Sequence, residues 1–292
     1  MLLVTGPSGN VGAELVGLLR ERVEGAWRVG SRHPEQWGSG LGAGEAVRLD
    51  FFDPTSWPAA LDGVDTLFLL FPLPSNEAAR SGIVPFLDAA QRAGCRHVVY
   101  VSVFGADRAR FLPHHKVEQA LLASSMSWTV LRCSFFVQNL HRHLSTHGSD
   151  IADRGELFVP AGGGRTTFLD ARDAAAVAVD ALLAPDRHRN RVHELTGPEA
   201  LTMPEVAAAL TRHLQRPVRY TRPSVPRFAG RLRRRGVGWD TILFMSAVYT
   251  LTRVGLNQPI TGEVEQLLGR APRTLDDCLA DSAWRWQQRA WT

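Results

Sequence analysis

The first twenty-three residues constrain this chain more than any other stretch. Leu2 to Val4 is a short apolar run of the kind that forms a buried parallel strand. Thr5-Gly6-Pro7-Ser8-Gly9-Asn10-Val11-Gly12 comes next, and then Val11, Leu15, Leu18, Leu19 and Val23 recur at helical spacing. The pattern is strand, tight turn, helix. In the G-x-x-G-x-x-G series, Gly6 permits the sharp turn and Gly9 removes a Cβ from the path of an approaching pyrophosphate. Gly12 lets the helix pack close to the strand. An anion placed there rests on backbone N–H groups at the positive end of a helix dipole. Gly6, Ser8, Gly9, Asn10 and Val11 are therefore candidates for holding a dinucleotide.

The chain beyond this helix alternates strands and helices, which implies a parallel sheet. Strands are expected at Trp27–Ser31, Ala46–Leu49, Thr66–Phe71, Val98–Ser102 and Trp128–Arg132. Helices are expected from Asp53 to about Leu61, from about Glu77 to Ala93 and from about Pro113 to Ala123. Later, Phe135 to His147 reads as helical, and Asp170 or Asp173 is placed to cap a helix through Leu183. Arg191–Leu195 reads as a returning strand. Thr202 with Glu205 reads as a capping box for a helix to about Leu214. The expected architecture is α/β, a Rossmann-type doubly wound parallel sheet over residues 1–155. A smaller, mostly helical substrate-binding part covers 156–292, with about 166–197 folding back onto the sheet.

The end of the second strand bears on which dinucleotide is bound. Where NAD-binding sheets place a carboxylate for the ribose 2′-hydroxyl, this chain reads Gly30-Ser31-Arg32-His33. A carboxylate repels a 2′-phosphate, whereas a guanidinium binds one through paired, charge-assisted hydrogen bonds. NADP(H) is thus expected over NAD(H), with Arg32 as the main ligand and His33 or Ser31 assisting. Asp50 and Phe51 are expected to border the adenine. Phe71, Pro72, Ser102 and Val103 are expected beneath the nicotinamide ribose. The net charge of +4 suits a phosphorylated cofactor and is too small to imply nucleic acid. No apolar run approaches the ~20 residues of a membrane helix. With the strand opening directly after Met1, a cytoplasmic protein without a leader is expected. Cys95, Cys133 and Cys278 are widely spaced with no C-x-x-C, so they read as reduced packing thiols.

Several stretches together resemble the NmrA-like group of atypical short-chain dehydrogenase/reductases, which includes quinone reductases, azoreductase-like enzymes, triphenylmethane reductase and the regulator NmrA. They are Val4 to Gly12, Leu61-Asp62-Gly63-Val64-Asp65, and Trp128 to Arg132 with Phe135-Phe136-Val137-Gln138-Asn139. Asp170 to Ala175, Leu195 to Thr202 and Gly269 to Thr274 complete the set. The resemblance implies a Rossmann domain with a small C-terminal substrate domain.

Many such relatives reduce a carbonyl with a Tyr-x-x-x-Lys pair, the tyrosine protonating the alkoxide. Here Tyr100, Tyr220 and Tyr249 are followed four residues on by Phe104, Ser224 and Arg253. Registering the helix on Glu118 puts Arg110 at the tyrosine position and His114 at the lysine position. Ordinary alcohol dehydrogenation is therefore disfavoured. One reading is hydride transfer to a quinone, enone, iminium or other conjugated small molecule, with solvent, His114 or His115 supplying any proton. The alternatives are a non-catalytic NADP(H)-binding redox sensor, or a lyase, isomerase or cyclase on the same fold. His114 is the candidate catalytic and cofactor-contacting residue, and Phe104, Phe136 and Asn139 are candidates for binding substrate. Among His141, His143 and His147, His143 and His147 are i, i+4 on one expected helix face, but there is no H-E-x-x-H and no carboxylate within that turn, so no metal is expected. Arg231, Arg233, Arg234 and Arg235 read as a solvated face. Trp284, Trp286 and Trp291 are expected to cover the core or a dimer surface. The expected state is a monomer or homodimer.

Overall fold

The computed structural model describes residues 1–38, 40–71, 75–141 and 147–282. Pro72, His143 and the three tail tryptophans lie outside the described residues. The strands are β1 (Leu2–Thr5), β2 (Trp27–Ser31), β3 (Gly44–Arg48), β4 (Thr66–Leu70), β5 (His97–Val103) and β6 (Ser127–Cys133). They continue with β7 (Phe135–Phe136), β8 (Glu156–Leu157), β9 (Arg165–Leu169), β10 (Arg191–Leu195), β11 (Ala200–Thr202) and β12 (Arg219–Tyr220). Seven of them form one sheet in the order β10-β6-β5-β4-β1-β2-β3, and the pairs from β5 across β1 to β3 all run parallel. The order reverses beside β1. This is the doubly wound arrangement, with the strands' carboxyl ends along one edge where ligands bind.

The chain divides into two compact units, Met1–Arg132 with Ala174–Glu194, and Cys133–Asp173 with Leu195–Thr292. In the first, the apolar runs of β1, β4 and β5 are buried on both faces, which is why they read as continuous rather than alternating. Helix Asn10–Arg22 buries Val11, Leu15 and Leu19, the i, i+4, i+8 stripe of the sequence, with Val16 beside them. The expected helix after β4 runs from Asn76 to Arg92 with one wide turn at Ala79–Ile83, and Ser75 caps it by accepting from the Ala78 N–H. Arg28 is an unanticipated staple. From β2 it bonds Glu45 on β3 at 2.6 Å and donates to the carbonyls of Ala59, Ala60 and Asp62. Those are the orphan acceptors at the end of helix Trp57–Leu61.

In the second unit β11-β9-β7 and β12-β8 form two small sheets. Of the helix expected over Phe135–His147, the described residues 135–141 take another form. Phe135 and Phe136 pair with Phe168 and Leu169 of β9, a tight turn spans Val137–Leu140, and a helix covers His147–Arg154. Pairing with a distant strand overrode the local helical pattern, as tertiary context does for short segments. The capping box at Thr202 and Glu205 is present, with Glu205 accepting from the Thr202 N–H at 2.7 Å. Asp170 caps helix Ala171–Leu183 by accepting from the Arg172 N–H at 2.8 Å. Asp173, one turn in and fully buried, instead binds Arg270, the Arg273 side chain and the Arg273 N–H. The basic run is only partly a solvated face. Arg231 and Arg235 both bond the buried Asp150, at 2.9 and 2.6 Å, and Arg231 also stacks 3.3 Å above the Phe158 ring. Among the described residues no helix is long and apolar enough to cross a membrane.

Candidate nucleotide-binding site

The turn after β1 is built by a side chain at its base. Thr5, fully buried, donates its hydroxyl to the Phe68 carbonyl at 3.1 Å and accepts from the Leu70 N–H at 3.0 Å. The hydroxyl thereby extends the β1–β4 ladder where the backbone turns away, and it fixes Leu70 beneath the loop. Gly6 has φ +59°, the left-handed region that favours glycine. A Cβ on Gly12 would lie 2.1 Å from the Gly6 carbonyl oxygen, so helix and turn touch backbone to backbone. Gly9 caps the helix, and its N–H donates to the Gly6 carbonyl at 2.9 Å. An added Cβ would meet the end of the Leu70 side chain, Cδ2, at 2.5 Å and the Gly6 carbonyl oxygen at 3.1 Å, so the turn is close-packed on its inner side as well. The thirteen-residue helix carries no acid in its first turn, and Arg20 and Arg22 occupy its last. Its positive end is therefore not neutralised from within. Together these features leave Gly9, Asn10, Val11 and Gly12 close-packed at the positive end of the helix, where backbone N–H groups could hold an anion.

Beyond β2, Arg32 and His33 are exposed. The His33 N–H donates to Ser31 Oγ at 3.1 Å, and its imidazole lies 3.3 Å from the Glu35 carboxylate. Ser31 Oγ thus helps to shape the turn as an acceptor, and the acid absent from 30–33 is found at 35. Asp50 also shapes its own loop. It accepts from the Phe52 N–H at 2.9 Å, while its carbonyl accepts from the Trp57 indole at 2.9 Å. Phe51 is buried edge-on to Phe86 at 5.1 Å.

At the end of β5 the strand and the next helix meet through two matched pairs. Tyr100 and Ser102 share one face of β5 because strand side chains alternate. His114 and Glu118 share one face of helix Pro113–Ala123 because they are four apart. The Tyr100 hydroxyl and His114 Nδ1 are 2.7 Å apart, and Ser102 Oγ donates to Glu118 Oε1 at 2.6 Å. Glu118 is 1% exposed and held by Arg132 through two further bonds, at 3.2 and 2.7 Å. A buried carboxylate is tolerable only when so satisfied. Phe71 lies edge-on to His114 at 5.1 Å. Burial pushes the His114 imidazole down to about 3 and the Tyr100 phenol well above its ordinary value. At neutral pH both groups are uncharged.

The structure thus gathers the glycine turn, Arg32, His33, Asp50, Phe51, Phe71, Ser102, Val103 and His114 into the first unit, with Phe104 buried there as well. Phe136 and Asn139 belong to the second unit, on β7 and the turn after it. Arg110 is exposed. His115 Nδ1 bonds the Ala106 carbonyl, and Lys116 donates to Asn76. Sequence reasoning missed Tyr100 because it looked for a lysine four residues on. The H-x-x-x-E spacing of His114 and Glu118, set against the Y-x-S of β5, was the available signal. Among the described residues no cluster of three or more histidines, cysteines or acids is arranged to hold a metal.

A parallel seven-stranded sheet with a glycine turn at the start of its first helix defines a Rossmann-type nucleotide-binding fold. The NmrA-like family matches residues 1–230, and the chain belongs to that family. It is 33% identical over 284 residues to the NAD(P)H azoreductase of Xenophilus azovorans, covering 94% of this chain and 95% of that one. Its fold superposes on the NADPH-dependent quinone oxidoreductase of Escherichia coli in complex with NADPH. The TM-score is 0.80 at 24% identity, covering 96% of this chain and 99% of the other. The triphenylmethane reductase of Citrobacter sp. with bound NADP(H) gives 0.79 at 20%, with 97% and 99% covered.

Proposed function

We propose that this protein is an NADPH-dependent reductase that passes hydride to a conjugated or aromatic small molecule, a quinone, enone, iminium or related acceptor. The single observation that carries the reading is the close-packed turn from Gly6 to Gly12. Its backbone contact leaves no room for a side chain, and it aims an uncompensated helix end outward. The kinship with an azoreductase supports a reductive activity on an aromatic nitrogen or oxygen compound.

Bound NADPH supplies the hydride. The chain's own residues bind the diphosphate at the glycine turn and the 2′-phosphate at Arg32. Burial leaves His114 without an imidazolium proton to give near pH 7 and makes the Tyr100 phenol a weaker acid than a free one, so neither is a proton donor poised near neutrality. An acceptor whose reduced form is a stabilised anion or a neutral molecule fits this arrangement, because solvent can deliver its proton. A simple ketone, whose alkoxide needs an acid at the moment of transfer, does not.

The same lack of a poised acid gives a second reading its footing, that of an NADP(H)-binding regulator without turnover. Two measurements separate them. Titration with NADPH should show saturable binding, and a panel of quinones, enones and azo dyes should then draw down NADPH absorbance. Binding with no consumption by any acceptor supports the regulator. No binding of either pyridine nucleotide overturns both readings.

A further inference from the structure

Arg48 is the last residue of β3, two positions before Asp50. Its strand partner is Ser31, the last residue of β2, and the Leu49 N–H donates to the Ser31 carbonyl at 2.9 Å. The two strands therefore end level, and Arg48 stands beside the residue that precedes Arg32. Strand alternation puts Ser31 and Arg48 on the same face of the sheet, opposite Arg28 and Glu45, which bond each other on the other face. From the strand end Arg48 reaches onward, along the chain direction, to Asp53 Oδ2 at 2.8 Å. Its head thus lies past the carboxyl edge of β3, on the side of the sheet where nucleotides bind.

We propose that Arg48 is a second specificity-determining residue for the cofactor, acting with Arg32 as a two-guanidinium clamp on the 2′-phosphate. The inference rests on the NADPH reading above. Three features favour it. Arg48 is more than half exposed, at 56%, so its head is available to a ligand. Its tie to Asp53 is a solvent-exposed ion pair, and such pairs are weak and screened by salt. Asp53 does not depend on it, because Oδ1 already accepts from the Thr55 N–H at 3.1 Å and from the Thr55 hydroxyl at 2.6 Å. Arg48 can therefore turn from Asp53 to a phosphate without orphaning a buried group. A phosphate dianion is the stronger partner for a planar guanidinium, which binds it through two parallel donors.

The clamp also explains how the site can favour a 2′-phosphate although Glu35 lies close to His33. One exposed arginine beside a nearby acid gives little net attraction. A second arginine, carried by the adjacent strand end, restores it.

The test is the affinity of the full chain for NADPH and NADH, read by quenching of tryptophan fluorescence, with 2′,5′-ADP and 5′-ADP as competing probes. Arg48→Ala should weaken NADPH and 2′,5′-ADP about tenfold, the loss of one charge-assisted contact, while leaving NADH and 5′-ADP within about twofold. Arg48→Lys keeps the charge without the fork and should fall between the two. Equal weakening of phosphorylated and unphosphorylated ligands, or no change in either, would overturn the proposal. If Arg32→Ala alone abolishes discrimination while Arg48→Ala does nothing, the NADPH reading stands and Arg48 falls. If wild-type chain binds neither nucleotide, it is the underlying reading that fails.

Discussion

The Tyr100 hydroxyl lies 2.7 Å from His114 Nδ1, inside the first unit, with the phenol fully buried and the imidazole 6% exposed. A tyrosine and a basic side chain do meet at the end of β5, but not in the i, i+4 order of a carbonyl reductase. The tyrosine comes from the strand and the histidine from the helix. Burial keeps both neutral, so the pair is a hydrogen-bonded anchor between strand and helix rather than a charged acid–base couple.

Replacing Tyr100 with Phe removes one partner and leaves His114 Nδ1 buried. Leaving a buried polar group unsatisfied costs about 1–3 kcal/mol. Urea denaturation should show that loss at pH 7.5. A variant as stable as wild type would mean that Nδ1 finds another partner.

The same burial fixes the sign of a pH effect. His114 is held down to about 3, and His97 and His147 to about 4, against an ordinary value of 6.5. Above 6.5 the folded and unfolded states are both neutral at these sites, and the full stability is present. As pH falls below 6.5 the unfolded chain takes up protons that the folded chain refuses, so stability drops progressively toward pH 4. Thermal unfolding measured from pH 8 to 4 should show the melting temperature declining from about 6.5 downward, the ordinary imidazole value. A flat profile across that window would mean that the three imidazoles are not desolvated as described.

Arg32→Glu should weaken NADPH by one to two orders of magnitude, roughly the worth of a charge-assisted contact replaced by a repulsion, and NADH far less. Fluorescence titration with both nucleotides decides it. Equal losses would refute the phosphate assignment.

Gly12→Ala places a methyl group 2.1 Å from the Gly6 carbonyl oxygen, where only backbone movement relieves the clash. Overpacking of this kind costs about 1–3 kcal/mol or more. The variant should lose nucleotide affinity before it loses its helical circular dichroism. Wild-type NADPH affinity would show that the turn is not the binding element.

His114→Ala asks whether the imidazole has a chemical role. If His114 only anchors, turnover of a quinone should change less than stability does. A fall in kcat larger than tenfold at an unchanged KM would assign it a part in the transition state.

Asp173 is the buried acceptor for Arg270 and Arg273 and for the Arg273 N–H. Asp173→Ala removes the acceptor of two guanidinium groups that are themselves 42% and 33% exposed, so solvent offsets part of the loss and the cost should be about 1–3 kcal/mol. Urea unfolding should register the loss. A shift below about 1 kcal/mol, the worth of a surface pair, would show that the buried carboxylate adds nothing beyond an exposed contact.

The local code of this chain settled a good deal. The apolar runs of β1, β4 and β5, the glycine series and the capping box at Thr202 each obey rules that act within a few residues, so the Rossmann-type sheet could be read directly. The absence of an acid at 30–33 and the presence of Arg32 were equally plain. Tertiary structure decided what depends on residues far apart. Phe135 and Phe136 became a strand because Phe168 and Leu169 offered an edge to pair with. Leu70, far along the chain, packs against Gly9 and closes the inner side of the turn. Tyr100 found His114, Arg231 found Asp150 and Arg48 came level with Ser31 only through strand register and burial. Periodicity and capping are written in neighbouring residues, whereas the protonation state of a side chain and the partner of a buried charge are set by what surrounds it in space.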